Sequence, residues 1–404
     1  MPNSAIQSAV REALKKNLDY EANSILGLPG STLDSRVFPR LDELRDFGLL
    51  RTYVSNPNHI GCHTLGASES AFEGTQAIER DLLRICAEEL LRAAPASWDG
   101  YVTSGGTEAN IQAMWTYRNR FRDLQGEGTG RCGVLCSADT HYSIAKGADL
   151  LGMPLWQVNV DPESRALDPA EVERIVKSML EAGIMHVIAV LNMGTTMFGS
   201  IDDPESVLPI LDRLGVSYSV HIDAAFGGFI YPLLATDNRL DFRDPRITSI
   251  TLDAHKMLQA PYGTGIHLIR KGYIQHVYTK SARYVPGLDC TLIGSRSGTN
   301  AVAVWMILQS YGSEGGAIFC RELVDRAARL CVALDALGVR YFHHPEMNVV
   351  TMRAEDVPAE VSARWLLVPD SHDECAEWVK IVVMQHVDDG TLGRFLADLG
   401  RTRG

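Results

Sequence analysis

Apolar positions along the chain follow two spacings, one typical of amphipathic helices and one typical of buried strands. Helix-like runs fall at residues 76–91, 107–122, 169–181 and 204–214. Short apolar runs of strand type fall at 133–137, 155–160, 186–191, 218–222, 249–252 and 265–269. This alternation predicts an α/β fold in which a mostly parallel sheet is covered by helices.

The pattern changes near residue 315, after a predicted helix at 300–311. Beyond it we expect a long helix at 317–337, strands at 339–342, 349–353 and 379–383, and a closing helix near 391–399. We therefore divide the chain into an N-terminal helix and arm at 1–55, a large domain at 56–314 and a small α+β domain at 315–404. The apolar stripe of Ile6, Val10 and Leu14 predicts that the arm contacts a partner subunit.

Composition narrows the functional class. A chain of 404 residues with 46% hydrophobic residues can bury a large core, and its net charge of −12 argues against binding to nucleic acid. No run of 18 apolar residues is present, and the first residues lack a signal-peptide pattern, so we expect a cytoplasmic protein with no membrane contact. The eight dispersed cysteines are expected to be core residues or free thiols.

Two apolar runs end in side chains of opposite charge. The run at 218–222 is followed by Asp223, and the run at 249–252 leads to His255 and Lys256. An amine that forms a Schiff base and a carboxylate that keeps a pyridine nitrogen protonated are what pyridoxal 5'-phosphate requires. Each residue alone would more often be a solvated strand end.

A glycine turn supplies the third feature. Ser104, Gly105, Gly106 and Thr107 stand between a strand end and a helix, where backbone N–H groups, hydroxyls and the helix dipole favour a phosphate. Alone, the same pattern would be an ordinary capped helix start. Together with the aspartate and the lysine, in the order in which a parallel sheet brings such residues to one edge, it predicts a pyridoxal-phosphate site.

Five segments carry a resemblance to a known family. They are 103–110 (TSGGTEAN), 138–143 (ADTHYS), 194–203 (GTTMFGSIDD), 221–229 (HIDAAFGGF) and 253–256 (DAHK). Together they resemble the group II pyridoxal-phosphate-dependent amino-acid decarboxylases over roughly residues 55–315. The segment 294–298 (GSRSG) makes the chain most similar to the short archaeal tyrosine/aspartate decarboxylases, and bacterial histidine decarboxylases are also similar.

The resemblance implies a fold type I, aspartate-aminotransferase-like enzyme whose strand at 265–269 runs antiparallel beside the lysine strand. It implies decarboxylation of an L-amino acid to an amine and CO2, with His141 over the cofactor ring, Thr195 at the cofactor or the substrate carboxylate, and His255 at the phosphate. Ala225 is expected on the same side as Asp223, where a small side chain leaves the ring room.

The resemblance also implies a mobile lid and a homodimer with shared active sites. The lid is expected at 275–290, where Tyr278 or Tyr284 would protonate the product carbon. Ser295 and Ser297 are expected near the phosphate of the partner's cofactor, with Arg296 bracing the interface.

Alternatives within the same cofactor class stay open. A carbon–carbon lyase resembling sphingosine-phosphate lyase shares two of the motifs, and an aldehyde-forming or transaminating outcome is conceivable. Arg353 could grip a substrate carboxylate as in aminotransferases, although a charge at a strand end is more often solvated. A non-catalytic binding protein is less favoured, because Lys256, Asp223 and His141 are all present.

The sequence leaves the amino-acid substrate open. By resemblance, residues 56–64 should line the substrate entrance, and their polar groups would suit an acidic or imidazole side chain at least as well as a phenol. His59 and His63 have helical spacing, but the glycine between them and the adjoining proline argue against a helix. We expect no metal site there.

Overall fold

A computed structural model describes residues 24, 26–27, 36–37, 73–125, 131–279, 288–372 and 375–403. Its large sheet consists of β1 Trp98–Thr103, β2 Arg131–Ser137, β3 Leu155–Val158, β4 Ile184–Asn192, β5 Ser217–Ala224, β6 Ile247–Asp253 and β7 Gly265–Arg270. The strand order is β1-β7-β6-β5-β4-β2-β3. Strand β7 is antiparallel to both of its neighbours, β1 and β6, and the other pairs in this sheet are parallel. The predicted fold class and the antiparallel strand beside the lysine strand are therefore confirmed.

Helices cover both faces of this sheet. They include α1 Glu73–Arg84, α2 Gly106–Gln125, α3 Tyr142–Leu150, α4 Pro169–Glu181, α5 Leu208–Arg213 and α6 Tyr231–Leu234. Alternate residues of β4 show the two faces: Val187 and Leu191 belong to one buried cluster, whereas Ile188 and Val190 belong to another. A strand buried on both faces reads as a continuous apolar run, which is why the central strands were readable from the sequence.

Some element predictions were incomplete or wrong. The predicted helix at 204–214 is a single 3-10 turn, Pro204–Ser206, followed by α5, because Val207 between them has a non-helical φ of −123° and ψ of −55°. The predicted helix at 76–91 comprises α1 and a π-helical turn, Ile85–Leu90. Helix α3 was missed, since its nine residues carry only a short apolar pattern.

The C-terminal part has its own antiparallel sheet. After the helical run α7 Gly298–Ala336 come β8 Tyr341–His343, β9 Val349–Arg353, α8 Ala359–Arg364, β10 Val368–Pro369, β11 Trp378–Val382 and α9 Asp389–Arg403, with the strand order β10-β11-β9-β8. The two helices predicted at 300–311 and 317–337 meet at Gly312, whose φ of 59° interrupts the helical geometry. The predicted domain limits themselves remain predictions.

Leu26 packs in the core of this smaller sheet. Its carbonyl accepts a 2.7 Å hydrogen bond from the Val382 N–H, and its side chain is fully buried. Part of the predicted partner-contacting arm therefore contacts the C-terminal sheet of its own chain. The N-terminal helix predicted from Ile6, Val10 and Leu14, over residues 5–20, lies outside the described residues. None of the described helices is long and apolar enough to cross a membrane.

Candidate active site

A cavity of about 290 Å³ opens where β1, β5 and β6 end. Its walls come from the glycine turn and start of α2, from the start of α3, and from the ends of β5 and β6. The lining residues are Ser104, Gly105, Gly106, Thr107, Glu108, Asn110, His141, Tyr142, Asp223, Ala225, Asp253, His255 and Lys256. The fold thus brings together most of the residues that the sequence singled out.

Asp223, Ala225 and Asn110 form what we call the floor of the cavity. The buried Asp223 carboxylate accepts a 2.9 Å hydrogen bond from Asn110 Nδ2 and a 3.1 Å bond from the Ala225 N–H. Both Asp223 and Ala225 line the cavity, as their spacing predicted. Two donors in place fix the position of this carboxylate.

His141 caps the N-terminus of α3 from the cavity wall. Its Nδ1 accepts a hydrogen bond from the Ser143 N–H at 3.3 Å and lies 2.9 Å from Ser143 Oγ. Burial lowers the pKa of His141, assisted by the positive charge of Lys256 and opposed by Asp223. The imidazole is therefore neutral at neutral pH, with its proton on Nε2.

The glycine turn and the segment 253–256 form a second part of the lining, which we call the phosphate end. Gly105 has a φ of 155°, which favours glycine, and a Cβ at Gly106 would lie only 2.9 Å from Asp253 Oδ2. The Ser104 hydroxyl donates to Glu108 Oε2 at 2.7 Å, and so does the Ser104 N–H. Glu108 thus holds the turn in place. The Ser104 hydroxyl, which was predicted to donate to a phosphate, already donates to Glu108.

Lys256 lies in a turn three residues beyond β6, since that strand ends at Asp253 rather than at the histidine–lysine pair. Its Nζ is 3.3 Å from Asp253 Oδ2, and His255 Nε2 is 3.7 Å from the same oxygen. Burial raises the pKa of Asp253 to about 6, although the neighbouring Lys256 ammonium lowers it. The turn allows His255 and Lys256 to line the cavity together, whereas adjacent residues on a strand would face opposite ways.

The sequence predicted no role for Asp253, which appeared only as part of the motif at 253–256. Among the described residues, Asp253 Oδ1 and His255 Nδ1 are buried and have no hydrogen-bond partner. Buried polar atoms of this kind normally have a partner, so a group with its own donors and acceptors fits between them. Pyridoxal phosphate fits the residues present: the N–H groups of the glycine turn and the unpartnered His255 Nδ1 would hold its phosphate, its ring would lie on Ala225, and Lys256 and Asp223 line the same cavity.

Other predicted site residues lie outside the cavity lining. Thr195 is buried with its hydroxyl 2.7 Å from Ser200 Oγ, and Tyr278 packs against the buried cluster that contains Ile188 and Val190. Ser295 is exposed, Ser297 directly precedes α7 without a side-chain capping hydrogen bond, and neither lines the cavity in the described part of the chain. Tyr284, His59 and His63 lie outside the described residues, and the functional roles of all these side chains stay predictions.

Two arginines are engaged elsewhere. Arg296, predicted to brace a subunit interface, is buried and ion-paired with Glu79 of its own chain, and its role at an interface stays a prediction. Buried charges need partners, and Glu79 on α1 supplies one for Arg296. Arg353 stacks 3.9 Å over Trp378 and pairs with Glu163 at 2.8 Å, away from the cavity.

Lys380 was missed by the sequence analysis. It lies in the middle of the fully buried strand β11, and its Nζ donates a 2.6 Å hydrogen bond to the Thr196 carbonyl of the large domain. Burial lowers its pKa to about 8, and the charge of Lys256 contributes. A lysine within an apolar strand was the available signal, because such a residue is buried only where it has a partner.

Comparison with known proteins adds sequence relatives to this geometry. The family profile described as "Pyridoxal-dependent decarboxylase conserved domain" matches residues 76–353. A relative named tryptophan decarboxylase, from Clostridium sporogenes, is 44% identical over 96% of this chain and 94% of its own length. A probable L-tyrosine/L-aspartate decarboxylase from Methanothrix thermoacetophila is 33% identical over 81% of this chain and 82% of its own.

The fold is shared with solved structures of low sequence identity. A sphingosine-1-phosphate lyase from Burkholderia pseudomallei superposes with a TM-score of 0.78 at 22% identity, covering 99% of this chain and 90% of its own. Likeness at this identity concerns the fold alone, since related folds host different reactions.

Proposed function

The chain belongs to the family of pyridoxal-dependent decarboxylases and is an amino-acid decarboxylase that uses pyridoxal phosphate, and on that premise we propose that its substrate is L-tryptophan. The observation that carries this proposal is the 44% identity to a tryptophan decarboxylase over nearly the whole of both chains. The relatives named for tyrosine and aspartate are less similar and match less of the chain. Tyrosine is the second candidate.

The substrate is tested by assaying the purified, cofactor-saturated enzyme with tryptophan, tyrosine, aspartate, glutamate and histidine. We expect CO2 and tryptamine in equal amounts, with kcat/KM for tryptophan at least about tenfold above that for any other amino acid, as one well-formed side-chain pocket permits. A higher kcat/KM for tyrosine or aspartate would replace the proposal. Aldehyde and ammonia in place of amine would favour the aldehyde-forming alternative.

Bound pyridoxal phosphate supplies an electron-accepting ring for the bond to the carboxyl group. We propose that Lys256 holds the cofactor covalently and that Asp223 provides the anion beside its pyridine nitrogen. Asp223 suits that role because its carboxylate is buried, fixed by two donors and placed on the floor of the cavity. The segment 104–107 and His255 are proposed to hold the phosphate.

His141 is proposed to face the ring and to hold a proton at Nε2 for delivery to the product carbon. The hydrogen bond from the Ser143 N–H to Nδ1 supports that tautomer. Tyr278 does not line the cavity, and burial raises its pKa, so it is a poorer acid from its described position. A role for Tyr284 stays a prediction that a Tyr284→Phe variant would test.

A carbon–carbon lyase acting on a phosphorylated substrate is not favoured by the described cavity. Such a substrate needs cations for its own phosphate in addition to those used for the cofactor. The described lining contains no arginine, and Lys256 is its only lysine. The shared fold does not distinguish the two reactions.

We also propose a homodimer whose subunits share their active sites. Three large apolar side chains, Leu288, Leu292 and Ile293, are 41–52% exposed just before the exposed Ser295, and such a group favours a protein partner. Mixing an inactive Lys256→Ala chain with an inactive Ser295/Ser297 double variant should restore one working site in two. A fully active monomer in light scattering, or no recovery despite proven subunit exchange, would count against sharing.

A cytoplasmic location is part of the same proposal. Six of the seven described cysteines are buried free thiols and the seventh, Cys375, is exposed and also free, which suits a reducing compartment. Cell fractionation with an antibody to the chain tests this, and recovery in an oxidising compartment would contradict it.

A further inference from the structure

The buried Asn110 amide lies between Asp223 and His141, the two groups proposed above to face the cofactor ring. Its Nδ2 is 2.9 Å from Asp223 Oδ2 and also 2.9 Å from Ser143 Oγ. Ser143 in turn contacts Nδ1 of His141. One side-chain amide of α2 therefore contacts the floor of the cavity directly and its wall through a single hydroxyl.

The orientation of this amide follows from its neighbours. The Asp223 carboxylate can only accept, so the NH2 group of Asn110 faces it, and Oδ1 lies 2.9 Å from His221 Nε2. Burial lowers the pKa of His221 to about 3, which makes it neutral, and Nε2 must carry its proton in order to donate to Asn110. His221 Nδ1 then accepts from Ser249 Oγ at 2.6 Å.

The hydrogen bonds in this network all run in one direction. Tyr117 donates to Ser249, Ser249 to His221, His221 to Asn110, and Asn110 to Asp223. Each of these side chains is buried, so water does not compete with the protein partners. Chains of hydrogen bonds aligned in this way strengthen one another, and their combined effect is to favour a charged Asp223.

The second branch acts on His141. Because Ser143 Oγ accepts from Asn110, its own proton is directed to His141 Nδ1, which also accepts from the Ser143 N–H. Two donors at Nδ1 leave the imidazole proton on Nε2. The same amide that contacts the Asp223 carboxylate thus fixes the proton-bearing nitrogen of His141.

We propose that Asn110 is the positioning residue of this active site, holding Asp223 ionised and His141 in its Nε2–H tautomer through one amide group. This inference rests on the proposed roles of Asp223 and His141. It goes beyond them by assigning their protonation states to a residue on a third element, with His221 setting the orientation of the amide.

The test uses Asn110→Asp, which keeps the shape but replaces the donor with a second anion, and Asn110→Leu, which removes the amide. Without the Asn110 donor, as in Asn110→Leu, the Asp223 anion holds the pyridine proton less firmly, so the ring withdraws fewer electrons from the linkage to Lys256. Asn110→Asp adds a second negative charge, which itself favours the protonated form of that linkage. The pH midpoint of the visible band of the substrate-free holoenzyme should therefore rise by about one unit or more, and kcat should fall about tenfold or more with KM within about threefold.

Thr116→Val is the matched control, since Thr116 is buried in the same helix but donates only to the Gln112 carbonyl. Its midpoint should stay at the wild-type value. Midpoints within about 0.2 units of wild type in both folded Asn110 variants would overturn the proposal, whatever their activity. Because the band is read without substrate, this result is independent of whether tryptophan is decarboxylated.

If neither Asn110 variant folds, His221 carries the test. His221→Leu removes the donor that orients the amide and should shift the midpoint in the same direction by a smaller amount. His221→Gln keeps a side-chain donor and should restore most of the wild-type value. Equal midpoints for wild type, His221→Leu and His221→Gln would contradict the proposed network.

Discussion

The floor and the phosphate end of the cavity differ in how far the chain satisfies its own polar groups. On the floor, the oxygens of Asp223 accept bonds from Asn110 and from the Ala225 N–H. At the phosphate end, Asp253 Oδ1 and His255 Nδ1 are buried without a hydrogen-bond partner in the described chain. The protein itself supplies hydrogen bonds to the floor carboxylate, whereas the phosphate end keeps polar atoms available for a ligand.

The difference separates two tasks. A group that stabilises developing charge works best when it is already fixed, because no reorganisation is then needed during the reaction. A group that binds a ligand must keep hydrogen-bonding capacity for it, and an unsatisfied buried atom costs stability until the ligand arrives. We therefore expect cofactor binding to stabilise the phosphate end more than the floor.

The largest expected effect comes from Lys256, which belongs to the phosphate end and lines the same cavity as the floor residues. Lys256→Ala should abolish turnover and the visible band of the lysine-bound cofactor, because no other described lysine lines the cavity. Noncovalent cofactor binding should persist through the phosphate end. An absorbance scan and an amine assay measure both, with Lys271→Ala at an exposed lysine as the control. A wild-type spectrum and rate in Lys256→Ala would remove the basis of the whole site assignment.

The second effect concerns the floor alone. Asp223→Ala removes the anion that we propose lies beside the pyridine nitrogen, so kcat should fall by several orders of magnitude, whereas cofactor affinity should fall less. Steady-state kinetics and a cofactor titration separate the two quantities. A kcat within about threefold of wild type would show that Asp223 has no such role.

The third effect concerns the phosphate end. The pKa of Asp253 is raised to about 6, with Lys256, His255 and Asp223 as its charged or titratable neighbours. As pH rises through that value the carboxylate ionises and repels a phosphate, so cofactor affinity of the wild type should fall. Asp253→Asn should flatten this dependence and bind about tenfold more tightly at pH 8.

Asp202→Asn is the matched control for that variant. Burial also raises the pKa of Asp202 to about 6, but its carboxylate bonds to Asn192 and does not line the cavity. Equilibrium titration of the unliganded protein with pyridoxal phosphate at several pH values measures the effect. The same pH dependence in wild type and Asp253→Asn would rule out a phosphate-linked role for Asp253.

The smallest expected effect is on stability. Burial lowers the pKa of His267 to about 3, and both its ring nitrogens lack a partner in the described chain. The unfolded chain takes up a proton near pH 6.5 while the folded chain does not, so stability from this group is lost as pH falls from about 6.5 towards 3. His267→Leu should reduce the loss between pH 7.5 and 5 by about 2 kcal/mol.

Denaturant unfolding at the two pH values checks this expectation. Thr264→Val serves as the control, because it replaces a buried polar residue three positions before His267 and removes no titrating group. An unchanged pH dependence in His267→Leu would mean that the histidine is already protonated in the folded protein.

Sequence reasoning recovered the groups whose position follows from strand order. Asp223 and Ala225 were predictable because parallel strands end at one edge and residues two apart share a face. The central strands were readable because they are apolar throughout, and helix α3 was not, because it is short. The antiparallel β7 was expected only through the family resemblance.

The missed residues depend on tertiary contacts that leave no local pattern. Asn110 and Glu108 stand in the same motif, but nothing in their spacing reveals that one contacts β5 and the other closes the glycine turn. Lys380 lies in the smaller sheet but donates to the Thr196 carbonyl of the large domain. Arg296 pairs with Glu79, which is more than 200 positions away in the sequence. Asp253 was passed over because a turn, rather than a continued strand, follows it.

Hydrogen–deuterium exchange with and without pyridoxal phosphate tests the contrast between the two regions most directly. We expect strong added protection at residues 104–107 and 253–256, where polar groups gain partners, and little change around Asp223 and His221, which are already hydrogen-bonded. Protection that rises equally in both regions, or at the floor alone, would contradict the account.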